Sequence, residues 1–173
     1  MSVTVTIDGG SLSRLKGRLK ELLKDPSPGV KIGVMEGTTY SEGPLAGESV
    51  AVNLARHEFG TEDIPARAPL RRTVEAQKRD WAKAGASYLS DFASSGKDIR
   101  VALIQVGEVA AMDIQQAFED GLSPPLQEAT IRRKEKMGYA AHASKPVILT
   151  GQSQRAITAE YAPDIKAVTK GVI

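Results

Sequence analysis

Two histidines and several adjacent acidic residues are the side chains in this sequence that could take part in catalysis or bind a metal ion. His57-Glu58 begins like the helix of a zinc protease, but the position where that motif has its second histidine is Thr61. The other histidine, His142, lies far along the chain, and the sequence contains no cysteine. These side chains argue against a zinc site, and we assign His57 a packing or hydrogen-bonding role.

Motifs for nucleophilic catalysis and for phosphate binding do not occur in the sequence. It has no Gly-x-Ser-x-Gly stretch, and Thr150 followed by Gly-Gln-Ser is explained by helix capping. Residues 37–47 contain glycines but lack the lysine and the helix start of a phosphate-binding loop. The adjacent carboxylates Glu62/Asp63 and Glu119/Asp120 are typical of solvated charge at element ends. We therefore predict no catalytic residue, no cofactor and no metal, and a protein that is not an enzyme.

The composition is that of a globular protein. Of 173 residues, 41% are hydrophobic and 25% charged, which predicts a single domain over residues 1–173. The net charge of +2 gives no strong electrostatic case for nucleic-acid binding. The first ten residues lack the features of a signal peptide, and no apolar run reaches the roughly 18 residues of a membrane span. We expect a soluble protein made in the cytoplasm, without a membrane partner.

Hydrophobic periodicity predicts two strands and two helices in the first third of the chain. Residues 3–7 and 30–34 alternate between apolar and polar side chains, as half-buried strands do. Residues 12–23 have a leucine face typical of an amphipathic helix. Residues 35–47, rich in glycine, serine and threonine, are interpreted as a flexible loop. A short helix over residues 49–59 follows, which Gly60 would close in left-handed geometry.

Two long amphipathic helices are predicted in the middle of the chain. The first begins at Pro69 and ends near Ser95, with its apolar face at Leu70, Val74, Gln77, Trp81, Ala84, Tyr88 and Phe92. The second follows an Asp98 cap and ends at Gly121, with its face at Leu103, Ile104, Gly107, Ala111, Ile114 and Phe118. It also carries Val106, Val109 and Met112 outside that arc. This helix therefore lies at the domain centre or meets a neighbouring subunit.

The last third of the chain contains shorter elements. We predict a rigid connector over residues 122–126, a charged helix with a solvated basic face over 127–136, and a loop near 137–146. Thr150 can cap one helical turn, and residues 156–161 and 167–173 are predicted to be extended. The fold class is then α+β, with a small, mostly antiparallel sheet packed against two long amphipathic helices in a single domain.

Two parts of the sequence resemble a known family. The first, NLARHEFGTEDIPARAPLRRTVE at residues 53–75, resembles the signature of small neck and tail-completion proteins of tailed bacteriophages. In that signature a helix ending in glutamate, an aromatic residue and Gly-Thr leads into Ile-Pro-x-Arg and a Leu-Arg helix start. The second, at residues 107–138 and 145–161, is similar to the same family's order of helix, Gly, Pro-Pro-Leu, a Thr-x-x-x-Lys helix, Lys-Pro, Thr-Gly-Gln and a closing strand.

The resemblance implies a structural virion protein without enzymatic activity. Such proteins form a homo-oligomeric ring, commonly a hexamer, at the head-proximal end of the tail. Their partners are the tail tube protein and the head-to-tail connector proteins, and phage DNA only passes through the lumen. The chain would be located in the neck of the virion, after assembly in the cytoplasm of the host bacterium. A tail terminator and a head-to-tail joining protein both remain open, as do rings of six and of twelve subunits.

The loop after Phe59 has properties that suit a subunit contact. Pro65 and Pro69 limit its backbone freedom, so that less entropy is lost on docking, and Gly60 permits a sharp turn. Its arginines can form forked hydrogen bonds to carboxylates. The predicted interface residues are Phe59, Gly60, Ile64, Pro65, Arg67, Pro69, Arg71, Arg72, Val106, Val109 and Met112. The simpler alternative is a loop that only presents the next helix.

Two other functions stay open at this point. A nucleic-acid-associated protein could use the basic residues at 14–20 and 132–136, and its affinity would fall steeply with salt. A hydrolase could conceal its site around His57, Glu58 and Asp63. The loop at 35–47 is also a candidate for a segment that becomes ordered when it meets the next ring.

Overall fold

The computed structural model describes residues 17, 20, 27–95 and 98–165. Between residues 27 and 165 it contains two strands and five α-helices, which form the α+β fold expected from the sequence. The strand predicted at residues 3–7, most of the helix predicted at 12–23 and the last strand predicted at 167–173 lie outside the described residues.

The two strands form an antiparallel pair although more than 120 positions separate them along the chain. Strand β1 is Ser27–Val34 and strand β2 is Ile157–Ile165, with Ile32 opposite Ala159 and one irregularity near the start of β1. The alternation of β-branched residues in β1 and the extended stretch from residue 157 are confirmed. Ile157 is completely buried, so this sheet contributes directly to the core.

The segment between β1 and the first helix consists of hydrogen-bonded turns. The Tyr40 amide donates to the Glu48 carbonyl at 3.0 Å, and the Gly47 amide donates to the Tyr40 carbonyl at 2.9 Å. The Tyr40 ring is buried and its hydroxyl lies 2.9 Å from Ser153 Oγ. This contact fixes one point of the segment on the C-terminal part of the fold, while the predicted mobility of residues 35–47 stays a prediction.

Helix α1, Val50–Phe59, begins and ends where the sequence predicts. The Ser49 hydroxyl accepts the Val52 amide hydrogen at 3.4 Å, which caps the first turn. Gly60 ends the helix with φ of 81°. A Cβ atom at this position would lie 3.0 Å from the Ala66 amide nitrogen, so both the backbone angle and the space require glycine.

The two long helices have the predicted bounds and lie side by side. Helix α2 is Pro69–Ser95 and helix α3 is Ile99–Asp120, and the Trp81 indole donates to Asp113 Oδ2 at 2.6 Å between them. The prediction that Val74 lies on the apolar face of α2 is wrong, because Val74 is exposed. Thr73 is buried instead, since its hydroxyl donates to the Pro69 carbonyl at 2.8 Å and no polar group is left unsatisfied.

Helix α3 lies at the centre of the domain, one of the two positions expected for it. It packs against α2, β1 and β2, and the core consists of Leu54, Ala111, Ile114, Phe118, Ile148 and Ile157. The backbone of Gly107 approaches the sheet so closely that a Cβ atom would lie 2.4 Å from Val30 Cγ2. Val106 and Val109 are half-buried within the chain, whereas Met112 is exposed.

The C-terminal part follows the predicted order of elements. After Gly121 and the connector come helix α4, Glu128–Lys136, a 3-10 turn at Ala140–His142, and helix α5, Gln152–Arg155. The Thr150 hydroxyl accepts the Gln152 amide hydrogen at 3.4 Å, although the residue that flanks α5 is Gly151. In the part of the chain that the structure describes, no helix is both long and apolar enough to cross a membrane.

Candidate functional site

Glu58 caps helix α2, although it precedes the two helix residues that it contacts by 12 and 13 positions in the sequence. Its Oε2 accepts the Leu70 amide hydrogen at 3.0 Å, and its Oε1 accepts the Arg71 amide hydrogen at 3.1 Å. The residue before the helix is Ala68, which has φ of 47° and no polar side chain. The buried carboxylate therefore satisfies two free amide groups of the first turn and places a negative charge at the positive end of the helix dipole.

Arg71 completes this arrangement and supports the ring of Phe59. Its Nε donates to Glu58 Oε1 at 2.8 Å and one of its terminal nitrogens donates to the Glu58 carbonyl at 2.7 Å. The guanidinium carbon lies 5.0 Å from the centroid of the Phe59 ring, a cation–π distance. Phe59 itself is 68% exposed, the largest value among the exposed apolar side chains of the described residues. The pair presents an aromatic ring and a cation together at the surface.

Arg67 connects the loop to the proline connector that follows α3. The side chain is only 3% exposed, and its Nε donates to the Pro124 carbonyl at 2.8 Å. Arg72 makes a parallel contact, donating to the Ser123 carbonyl at 3.1 Å. Burial lowers the pKa of Arg67 from its ordinary value, and carbonyl oxygens rather than a carboxylate satisfy its donors. These two arginines thus tie residues 67–72 to residues 123–125 within one chain.

The structure distributes the predicted interface residues between surface and interior. Phe59, Pro65, Arg72 and Met112 are exposed, while Gly60, Ile64, Arg71, Val106 and Val109 are half-buried. Arg67 and Pro69 are buried and leave almost no surface for a neighbouring molecule. Their burial has a physical reason, because Arg67 anchors the connector and Pro69 starts a helix whose first turn is covered by α1.

His57 contacts this loop through its backbone, and its buried Nδ1 has no hydrogen-bond partner among the described residues. Its carbonyl accepts the amide hydrogens of Arg67 and Ala68 at 2.8 and 3.2 Å. Burial, and then the charges of Arg67 and Arg56, lower the pKa of His57 to about 4, so the imidazole is neutral at pH 7. Among the described residues no hydrogen bond joins His57 to Glu58 or to the exposed Asp63, and no group of three His, Asp or Glu residues could hold a metal ion.

Lys134 is a buried cation that the sequence analysis missed. The prediction of a wholly solvated basic face on the helix at 127–136 is wrong for this residue, which is buried. Its Nζ donates to the carbonyls of His142, of Lys145 at 2.8 Å and of Ile148 at 2.6 Å, which uses all three ammonium hydrogens. Burial lowers the pKa of Lys134 to about 8, and the ammonium remains charged at pH 7. The sequence signal for this burial is that Lys134 lies three positions after Ile131 and so on the same side of the helix.

The Lys134 contacts fix the loop at 137–148 and reduce the basic surface available to a nucleic acid. An ion pair between Lys145 and Glu119 attaches the same loop to the end of α3, and the Lys145 ammonium holds the pKa of Glu119 below its ordinary value. On α4, Arg132 is paired with Glu128 at 3.6 Å, so Arg133 and Lys136 are the cations of that helix with neither burial nor an ion pair in the described structure.

Comparison of the chain with protein-family models, with curated proteins and with solved structures finds no match. The function is therefore inferred from the residues and their geometry.

Proposed function

We propose that this chain is a structural protein of the neck of a tailed bacteriophage, without enzymatic activity. Copies of it form a ring at the head-proximal end of the tail, and the ring joins the tail tube protein to the head-to-tail connector proteins. Phage DNA passes through the lumen of the ring. The neck of the virion is the location that follows from this proposal.

The observation that carries the proposal is the construction of the segment at residues 53–75, which resembles the neck-protein signature. Two charged side chains of this segment, Glu58 and Arg67, are buried and hold the backbone of the loop. The most exposed large apolar side chain of this segment is Phe59, supported by Arg71. A segment that rigidly presents an aromatic ring beside an arginine suits a protein contact, because such residues dominate binding energy at interfaces.

A second observation supports an assembly of copies. Two helices each expose a pair of large apolar side chains, Val52 and Phe59 on α1 and Val101 and Met112 on α3, while Val74 on α2 is exposed singly. A ring needs two different surfaces on each subunit, since the contact is repeated head to tail around an axis. Exposed apolar surface on two helices meets this requirement.

Binding to tail tubes is the experiment that tests the proposed function. Purified chain is added to tail tubes from particles assembled without it, and the tubes are examined by negative-stain electron microscopy. We expect a density at one end of each tube and none along its length. Tubes that remain bare at both ends, at every concentration of added chain, would rule out the neck function.

A further inference from the structure

The proposed ring leaves open which surfaces of neighbouring copies meet. We infer that the outer face of α1 in one copy packs against the outer face of α3 in the next copy. The α1 patch consists of Val52, Ala55, Arg56 and Phe59, and the α3 patch consists of Val101, Gln105, Glu108 and Met112. This inference rests on the proposed function, since it specifies the partner surface within the ring.

The α1 patch is one continuous side of a short helix. At 3.6 residues per turn, Val52, Ala55 and Phe59 lie opposite Val50 and Leu54, which are buried in the fold. The patch is exposed along its whole length, and Phe59 is its largest side chain. Arg56 borders it within the helix, and the guanidinium of Arg71 borders it beside the Phe59 ring. Because Arg71 is already paired with Glu58, the α1 patch is apolar with its positive charge at Arg56.

The α3 patch has the opposite electrostatic character. Val101, Gln105, Glu108 and Met112 follow one another at spacings of three and four residues, so they occupy one side of the helix, away from the sheet. Met112 is 58% exposed. Glu108 is exposed between the two apolar residues and forms no ion pair within the described part of the chain. This patch is apolar with a negative charge at its centre.

Charge decides between the possible pairings of the two patches. An α1 patch against a second α1 patch would bring arginines together, and two α3 patches would bring the Glu108 carboxylates together. An α1 patch against an α3 patch instead places Arg56 near Glu108 and joins the apolar centres. Arg56 is available for this exchange, because its own pair with Glu48 is 3.6 Å long and about half exposed on both sides.

The position of the patches in the fold favours a contact that continues from copy to copy. Leu54 of α1 belongs to the same hydrophobic core as Ala111 and Ile114 of α3, so the inner faces of the two helices both point into that core. The outer faces consequently point away from a common centre. A contact between two such different surfaces is head to tail, which generates a ring when the rotation closes.

Cysteine cross-linking tests this pairing, because the chain contains no cysteine of its own. The variants Phe59→Cys and Met112→Cys are made separately, mixed, and treated with oxidised glutathione. Two thiols then form one disulfide, and the glutathione disulfide accepts the two electrons and two protons. We expect a dimer band on a non-reducing gel from the mixture and from neither variant alone. A chain carrying both cysteines gives a ladder of bands that ends at the size of the ring.

A matched control uses Val74→Cys, which replaces another exposed apolar residue outside both patches. Mixed with Met112→Cys, it should give at least tenfold less dimer than Phe59→Cys does. Adding Glu108→Lys to the Met112→Cys chain should lower the yield by a similar factor, whereas Glu135→Lys on α4 should leave it unchanged. Circular dichroism establishes that each variant is folded.

The outcomes separate this inference from the proposed function. Dimers from Phe59→Cys alone would mean that the α1 patch pairs with itself and would overturn the inference. A ring of unchanged mass in which the two cysteines do not cross-link overturns the pairing but leaves the neck function standing. A chain that neither associates with itself nor binds tail tubes overturns both.

Discussion

At the scale of single residues, Glu58 has the clearest assigned role, as the cap of α2. The Glu58→Gln variant retains one acceptor oxygen and places an amide group against a backbone or arginine donor. We expect the free energy of unfolding to fall by about 2 kcal/mol, because one buried donor is left unsatisfied and a favourable charge at the helix end is lost. Urea denaturation measures the change. The exposed Glu62→Gln serves as the control, with a change below about 0.5 kcal/mol, and equal effects from both variants would refute the capping role.

Lys134 gives the second prediction at this scale. The Lys134→Met variant keeps the length of the side chain but leaves three carbonyl oxygens, those of His142, Lys145 and Ile148, without their donor. We expect a loss of about 2–4 kcal/mol in the free energy of unfolding, since burying unsatisfied polar groups costs this much. Lys136→Met, at an exposed position of the same helix, is the control. If thermal denaturation places both variants at the wild-type melting temperature, Lys134 does not hold the loop.

The lowered pKa of His57 predicts that the free energy of unfolding depends on pH. Its pKa is about 4 in the folded chain and near 6.5 when unfolded, so the fold favours the neutral imidazole. The unfolded chain binds the extra proton as pH falls from 6.5 to 4, and stability declines over this window by up to about 3 kcal/mol. The His57→Phe variant should lack this part of the decline. Denaturant unfolding from pH 7 to pH 4 compares the two chains, and parallel curves would show that His57 does not contribute.

At the scale of the elements, two glycines in the long helices make a matched pair. A Cβ atom at Gly107 would lie 2.4 Å from Val30 Cγ2 and 2.8 Å from Ala159 Cβ, so Gly107→Ala forces α3 away from the sheet. We expect a destabilisation of about 1–3 kcal/mol. At Gly85 the nearest atom is Val106 Cγ2 at 3.6 Å, and Gly85→Ala should stabilise α2 by up to about 1 kcal/mol. Opposite signs in chemical denaturation are the expected result, and a stabilising Gly107→Ala would contradict the close packing of helix and sheet.

The elements were largely predictable from the sequence because their signals are local. The caps at Ser49 and Asp98, the helix start at Pro69 and the alternation in β1 are all readable within a few residues. The candidate site was less predictable, because its contacts join distant parts of the chain. Arg67 meets a carbonyl 57 positions away, so an arginine expected to face a neighbouring subunit instead holds the proline connector. No periodicity encodes a contact of this kind.

A similar limit applies to polar residues that become buried. Glu58 and Lys134 stand in polar stretches, and their burial depends on amide and carbonyl groups that only the folded backbone brings together. Of the three residues predicted outside the apolar arc of α3, Met112 is exposed, whereas Val106 and Val109 are half-buried. Helical spacing indicates which side of a helix a residue occupies, whereas its burial and the partners of a buried charge depend on the tertiary fold.

At the scale of the whole molecule, the described part of the structure has an apolar patch on α1 and another, of different charge, on α3. Contacts within the chain hold the loop after Phe59, and the surfaces we propose for association lie on α1 and α3. The central claim is that these patches join copies of an 18.4 kDa chain into a closed ring.

Native mass spectrometry of the purified chain over a concentration series is the most direct measurement of that claim. We predict one dominant assembly whose mass is a fixed multiple of 18.4 kDa, six-fold or twelve-fold, and which does not grow further with concentration. The combined variant Phe59→Asp and Met112→Asp should lose this assembly while remaining folded, because it places carboxylates in both patches and brings one of them towards Glu108. A chain that stays monomeric at all concentrations, or a broad series of masses without a preferred size, would contradict the account.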